Sequence, residues 1–291
     1  MLTRINAILS DYDGTLSPTK TLRSKSIPKQ LEGALWEIAQ RIPVCIVSSK
    51  DYHFLYPRTK FARALSCIMG IENIVLKDAS NEIEKKNNSD NLSCIKERFL
   101  LPNIEKTLET NSVTLSKLAE NIKSEFKHNV VVERKHTSDG EYLAGITIDY
   151  RHLKNWKLYK NKLEPSLNEV IQKYMSLSSV PRSDLYIQTY ASHPFLDVYA
   201  VYCDKGMAFD LVSAKILNPK DNGEMGIMYL GDSENDNPAF RKASIAIGII
   251  SDKRLTPKLD CQYLIEFKHL PDFLRYLAEN GYVFSEDLLI L

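Results

Sequence analysis

The chain has 291 residues, a formal net charge of +1, and 44% hydrophobic and 26% charged residues. That is an ordinary globular composition, long enough for one or two domains, with no large basic field to draw nucleic acid or an anionic membrane. No apolar run approaches the roughly 20 residues of a membrane span, and the N-terminal "INAIL" is too short for a secretory signal.

The five cysteines (Cys45, Cys67, Cys94, Cys203, Cys261) are scattered and form no CxxC pair. This argues against a disulfide framework or a zinc site. A soluble cytoplasmic protein is the expectation.

In chain order, "INAILSD" (5–11) is apolar on nearly every position and ends in an acid, as expected of a strand buried on both faces. "IPKQLEGALWEIAQR" (27–41) has helical spacing with Pro28 near its start, and "PVCIVSS" (43–49) is again strand-like. Strand, helix, strand is the βαβ pattern of an α/β fold. The basic cluster Lys20, Arg23, Lys25 and Lys29 suits a solvated face as well as a ligand. From Asn81 to Ser93 the composition turns to Asn, Ser, Lys and Glu, which predicts a boundary or hinge.

The middle of the chain then changes character. A helix is expected over 114–126, strands over 129–135 and 142–151 around the turn "TSDG", a helix over 161–175, and strands over 185–190 and 194–202. Alternation of Val131, Glu133 and Lys135 with Val130, Val132 and Arg134 predicts a sheet with one exposed face. Core-like segments return with "IMYLGDS" (227–233), a helix start in "ENDNPAFRKA", the strands "SIAIGII" and "CQYLIEF", and a helix around "LPDFLRYLAEN". The order predicts a Rossmannoid α/β core, residues 1–90 and 200–291, interrupted by an α-β-β-α-β-β domain, residues 91–199.

Asp11 and Asp13 sit one residue apart directly after a buried strand. By themselves they mark either a hydrated turn or a place for a cation. Ser48, Lys205 and Asp232 with Asn235 and Asp236 also fall at or near the ends of expected core strands, where open α/β sheets bind ligands. Together these groups suit phosphoryl transfer. Asp11 is the candidate nucleophile, and Asp13 the acid and base. Asp11 and Asp232 are hard oxygen ligands for Mg²⁺. Ser48 and Lys205 are candidate phosphate contacts, and Gly14 permits the sharp turn.

"DYDGT" (11–15), "VCIVSS" (44–49), "DKG" (204–206) and "GDSEND" (231–236) resemble, in order, the four motifs of the haloacid dehalogenase-like phosphatases. The inserted block resembles that superfamily's type IIB cap. "DYDGTLSP", "VVVERKHTSDGEYLAGITIDYR" and "CDKGMAFDLV" are similar to segments of trehalose-6-phosphate phosphatases, whereas "GDSEND" is closer to sucrose-phosphate, mannosyl-3-phosphoglycerate and phosphoglycolate phosphatases.

The resemblance implies a Mg²⁺-dependent phosphatase of a small phosphorylated sugar, working through an aspartyl-phosphate, with a functional link to a sugar-phosphate synthase in trehalose biosynthesis. It also implies a mobile cap. A sugar phosphomutase and a non-catalytic sugar-phosphate-binding module are the other readings. Asp13 would meet the metal through its backbone carbonyl, with Gly14, Thr15, Asn235 and Asp236 in support. Glu133, Lys135 and Arg151 in the cap would bind the sugar. Two departures stand out: the second motif commonly continues Gly-Arg after its Ser or Thr where this chain has Ser49-Lys50, and Asp149 occupies the place of a His.

Overall fold

The computed structural model describes residues 2–18, 26–77, 92–177, 185–191, 193–216, 226–251 and 258–289. Lys20, Arg23, Lys25 and most of the stretch 81–93 lie outside them.

The elements run β1 (Thr3–Ser10), α1 (Lys29–Ala39), β2 (Val44–Val47), α2 (Tyr52–Leu55), β3 (Ala64–Cys67), β4 (Glu72–Leu76) and β5 (Ile95–Leu100). Next come α3 (Glu105–Phe126), β6 (Val131–His136), β7 (Leu143–Asp149), α4 (Trp156–Leu177), β8 (Tyr186–Thr189) and β9 (Phe195–Tyr199). The chain closes with α5 (Lys205–Ile216), β10 (Gly226–Gly231), α6 (Asn237–Phe240), β11 (Ile245–Ile250), β12 (Tyr263–Glu266), α7 (Leu270–Glu279) and β13 (Val283–Phe284). They form two compact units, Met1–Phe99 with Asp204–Leu291, and Leu100–Cys203.

The first unit is a mixed sheet in the order β12-β11-β10-β1-β2-β3-β4-β5, with β13 paired to β1. From β12 to β3 neighbouring strands are parallel, while β3 and β4 form an antiparallel pair. β2 and β10 are buried at every residue and β1 over its last four, as their unbroken apolar runs require of strands covered on both faces. In α1, Pro28 sets the backbone just before the helix, and Leu31, Leu35 and Ile38 form its buried stripe. β3, β4 and β5 went unread in the sequence because each is short and lacks a distinctive boundary.

The second unit is an antiparallel sheet, β6-β7-β9-β8, carrying α3 and α4 in the order αββαββ. α3 packs on β6 and β7 and against α4. The expected exposed face is corrected here. β7 is buried at every residue, Lys135 is 1% exposed, and it is Val131 that reaches solvent. The register places Thr147 of β7 between Glu133 of β6 and Asp197 of β9, so these polar groups share one face.

Candidate active site

Three neighbouring parallel strands end side by side. The first residue past β1 is Asp11, past β2 Ser48, and past β10 Asp232. Lys205 differs from expectation. It does not end a core strand: the strand before it, β9, belongs to the second unit, and Lys205 is the first residue of α5.

Its ammonium is fully buried, 3.0 Å from Asp11 Oδ1 and 2.7 Å from Asp236 Oδ1. Asp236 is saturated as an acceptor. Oδ1 also takes the Tyr229 hydroxyl at 2.7 Å, and Oδ2 takes the backbone N–H groups of Asp232 and Ser233, each at 3.1 Å. That occupancy makes Asp236 an anchor for Lys205 and for the loop after β10. Asn235 belongs to the same loop, its Oδ1 accepting the Ser233 hydroxyl at 2.6 Å.

The carboxylates of Asp11, Asp232 and Asp236 each offer an oxygen within 4.8 Å of the others. One ammonium among three carboxylates leaves two negative charges in excess, and the protonation equilibria respond to it. Burial pushes the Asp11 carboxyl up to about 7, with Asp236 adding to the rise and Lys205 opposing it. Burial, then Asp11 and Asp236, hold Asp232 well above the usual carboxylate range. Lys205 is raised despite its burial, because Asp11 and Asp236 flank it. Protons or a divalent cation would cancel such an excess, and an all-oxygen donor set suits a hard cation such as Mg²⁺.

Gly14 is required twice over. Its φ is +86°, and a Cβ there would lie 1.9 Å from Asp232 Oδ2. Thr15 completes the contact, its hydroxyl donating to Asp232 Oδ1 at 3.1 Å. Asp13 stands apart from the carboxylate cluster. Its side chain is 49% exposed, and the Lys50 ammonium lies 3.9 Å from its Oδ2. Ser48 is buried, and its hydroxyl accepts the Lys50 N–H at 3.3 Å, so the hydroxyl proton is available to a ligand.

In the second unit, Lys135 is tied to Asp197 at 3.0 Å, both fully buried. Asp197 also accepts from Thr147 and from the Tyr190 hydroxyl at 2.7 Å. Burial opposes its charge, but Lys135 and those donors outweigh it and hold the carboxyl below its ordinary value. Lys135 is therefore half of an internal ion pair and does not offer an open ammonium. Arg151, 45% exposed, donates through Nε to Asp149 Oδ2 at 2.7 Å and lies over the Phe195 ring. Glu133 is half-buried on β6.

No protein-family model matches the sequence, and no curated protein matches it. Solved structures do match in three dimensions. The C-terminal domain of a C. albicans trehalose-6-phosphate phosphatase gives a TM-score of 0.64 at 17% identity, over 95% of this chain and 92% of that one. A trehalose-6-phosphate phosphatase related protein gives 0.61 at 14%, over 94% and 98%. A sugar phosphatase of haloacid dehalogenase subclass IIB gives 0.53 at 15%, over 95% and 99%.

The fold is that of the haloacid dehalogenase-like phosphatases. The first unit is the core of that fold and the αββαββ unit its cap.

In the first unit, sequence reasoning passed over Tyr229, whose hydroxyl fastens Asp236, while Ser233 caps the single turn that carries Asp236. Asp197 is the hub of the second unit's polar cluster. A tyrosine inside "IMYLG" and an aspartate inside "FLDVY" were the available signals, since a polar group in an apolar strand needs a partner.

Proposed function

We propose that the chain hydrolyses phosphomonoesters of small phosphorylated sugars with Mg²⁺ as cofactor. The observation that carries the reading is the buried, acid-rich cluster of Asp11, Asp232 and Asp236 around Lys205, formed at adjacent strand ends beside an open Asp13. Asp11 and Asp232, with the backbone carbonyl of Asp13, would hold the metal. When bound, it compensates the carboxylate charge and that of the phosphate.

Asp11 then attacks phosphorus. The P–O bond to the sugar breaks, and the departing oxygen takes its proton from Asp13. Ser48 and Lys205 meet the phosphoryl oxygens, where charge shifts in the transition state. In the second half, Asp13 removes a proton from water, whose oxygen attacks the phosphorus of the aspartyl-phosphate. Phosphate leaves and Asp11 is regenerated.

Trehalose 6-phosphate is the first compound to test, because the C. albicans domain that shares the fold carries that activity in its name. Sucrose 6-phosphate, mannosyl-3-phosphoglycerate and phosphoglycolate belong in the same screen. Asp11→Asn is expected to abolish Mg²⁺-dependent phosphate release while the protein melts as a folded chain. Undiminished release from that variant would end the covalent mechanism.

A further inference from the structure

Ser48 follows β2, but its place is fixed by a turn further along the chain. The antiparallel pair β3 and β4 closes through residues 68–71, and Ile68, Met69 and Gly70 have φ of +52°, +58° and +94°. Left-handed backbone is costly for residues with a side chain, above all for a β-branched one such as Ile68. A turn of this kind persists only where its surroundings hold it. Ile68 and Met69 are both buried.

Asn73 supplies the hold. It stands directly opposite Ser66 in the β3–β4 ladder, and both side chains are buried. The Ser66 hydroxyl donates to Asn73 Oδ1 at 2.7 Å, and Asn73 Nδ2 donates to the Gly70 carbonyl at 2.8 Å. Bent in this way, the turn aims two backbone donors at the loop after β2. The Ile68 N–H meets the Lys50 carbonyl and the Met69 N–H meets the Ser48 carbonyl, each at 2.9 Å. Ser48 is held at its other end too, because its N–H donates to the Ser66 carbonyl at 2.9 Å. Gly70 also abuts α5, the helix that Lys205 begins: a Cβ there would lie 2.9 Å from Ala208 Cβ.

We infer that Asn73 is a positioning residue for Ser48. Its carboxamide keeps Ile68, Met69 and Gly70 left-handed, and the N–H groups of the turn fix the Ser48 main chain. That main chain sets where the Ser48 hydroxyl meets a phosphoryl oxygen, so the inference rests on the role proposed for Ser48. Leucine in place of Asn73 keeps the shape but strips the Ser66 hydroxyl and the Gly70 carbonyl of their buried partner. The turn is then free to relax, and Ser48 with it.

A double-mutant cycle tests this. Ser48→Ala should lower kcat/KM by about 10–100-fold, the scale of a hydrogen bond to a charged group, and Asn73→Leu by about tenfold. In the Ser48→Ala background, Asn73→Leu should change kcat/KM by less than about twofold, since the hydroxyl it positions is gone. A role confined to stability leaves the folded enzyme's kcat/KM unmoved or lowers it equally in both backgrounds, and either result overturns the inference. Amide exchange reads the turn itself: the Met69 N–H should lose protection in Asn73→Leu, and unchanged protection also overturns the inference. If Asn73→Leu does not fold, Ser66→Ala takes its place in both measurements. It removes only the donor that orients the carboxamide, and should lose about threefold in kcat/KM with Ser48 present and nothing without it.

If no phosphomonoester is hydrolysed with Mg²⁺, the phosphatase reading fails separately. Calorimetry of the full chain with inorganic phosphate and Mg²⁺ then decides. Binding that Asn73→Leu weakens only while Ser48 is present upholds the positioning role. No binding, unaltered binding, or equal weakening in both backgrounds overturns it.

Discussion

Replacing Gly14 by Ala tests the geometry of the site most directly. The residue has φ +86°, and an added methyl carbon would fall 1.9 Å from Asp232 Oδ2. The left-handed backbone costs a residue with a side chain about 1–2 kcal/mol. That lowers the melting temperature by a few degrees and leaves the fold intact. The contact is harder to absorb. To regain a van der Waals separation of about 3.5 Å, the carboxylate must retreat by roughly 1.5 Å. Thr15, which holds the same carboxylate at 3.1 Å, must move with it.

Displacing a reacting or metal-holding group by about 1 Å costs on the order of 10²-fold in rate. Gly14→Ala should therefore lose about 10²-fold in kcat on whichever phosphomonoester the parent hydrolyses, with a weaker response to Mg²⁺. Gly33→Ala is the control. It lies inside α1 with nothing within 4 Å of the new methyl, and should stabilise the protein by about 1 kcal/mol without affecting turnover. A folded Gly14→Ala protein within about threefold of the parent in kcat would show that the loop does not press on Asp232, and would refute the reasoning.

Lys135→Met strands the buried Asp197 carboxylate and should cost about 3 kcal/mol. This is the low end for breaking a buried pair, because Thr147 and Tyr190 still donate. Loss of amide-exchange protection in β7 and β9 would report it, and Asp197→Leu added to Lys135→Met should recover part of the loss. The depressed Asp197 pKa gives the pH sign: its stabilisation is fully present above the unfolded value of about 3.9 and is lost as pH falls through the lower folded value. Acid titration of the cap signals, with Asp197→Asn flattening the response, checks that. The excess negative charge of the core cluster predicts that Mg²⁺ raises the melting point of chelator-treated protein, by about 2.7 kcal/mol of stability at a hundredfold excess over Kd. Asp232→Asn should remove most of the shift, and an unchanged melting curve for the parent would count against the metal site.

Much of the architecture was legible because burial on both faces leaves a direct trace. "INAILS", "VCIV" and "IMYLG" read as central strands, and the acids and serine that follow them mark the strand termini. The αββαββ order of the insertion also followed from periodicity. Less visible were β3, β4 and β5, whose short runs carry no strong period, and the true place of Lys205. Its position in sequence suggested a strand end, but the preceding strand belongs to the other unit.

The sequence by itself determined where Asp11, Asp13, Ser48 and Asp232 fall, since they follow strand ends that hydrophobic patterning reveals. Only the tertiary structure decided how those charges are shared. Asp236 spends every lone pair on Lys205, Tyr229 and the loop backbone, Lys135 closes on Asp197 within the cap, and Lys50 leans on Phe54 beside Asp13. Pairings of that kind join residues far apart in the chain. They depend on ångström-scale distances and on burial, and neither leaves a periodic mark on the order of amino acids.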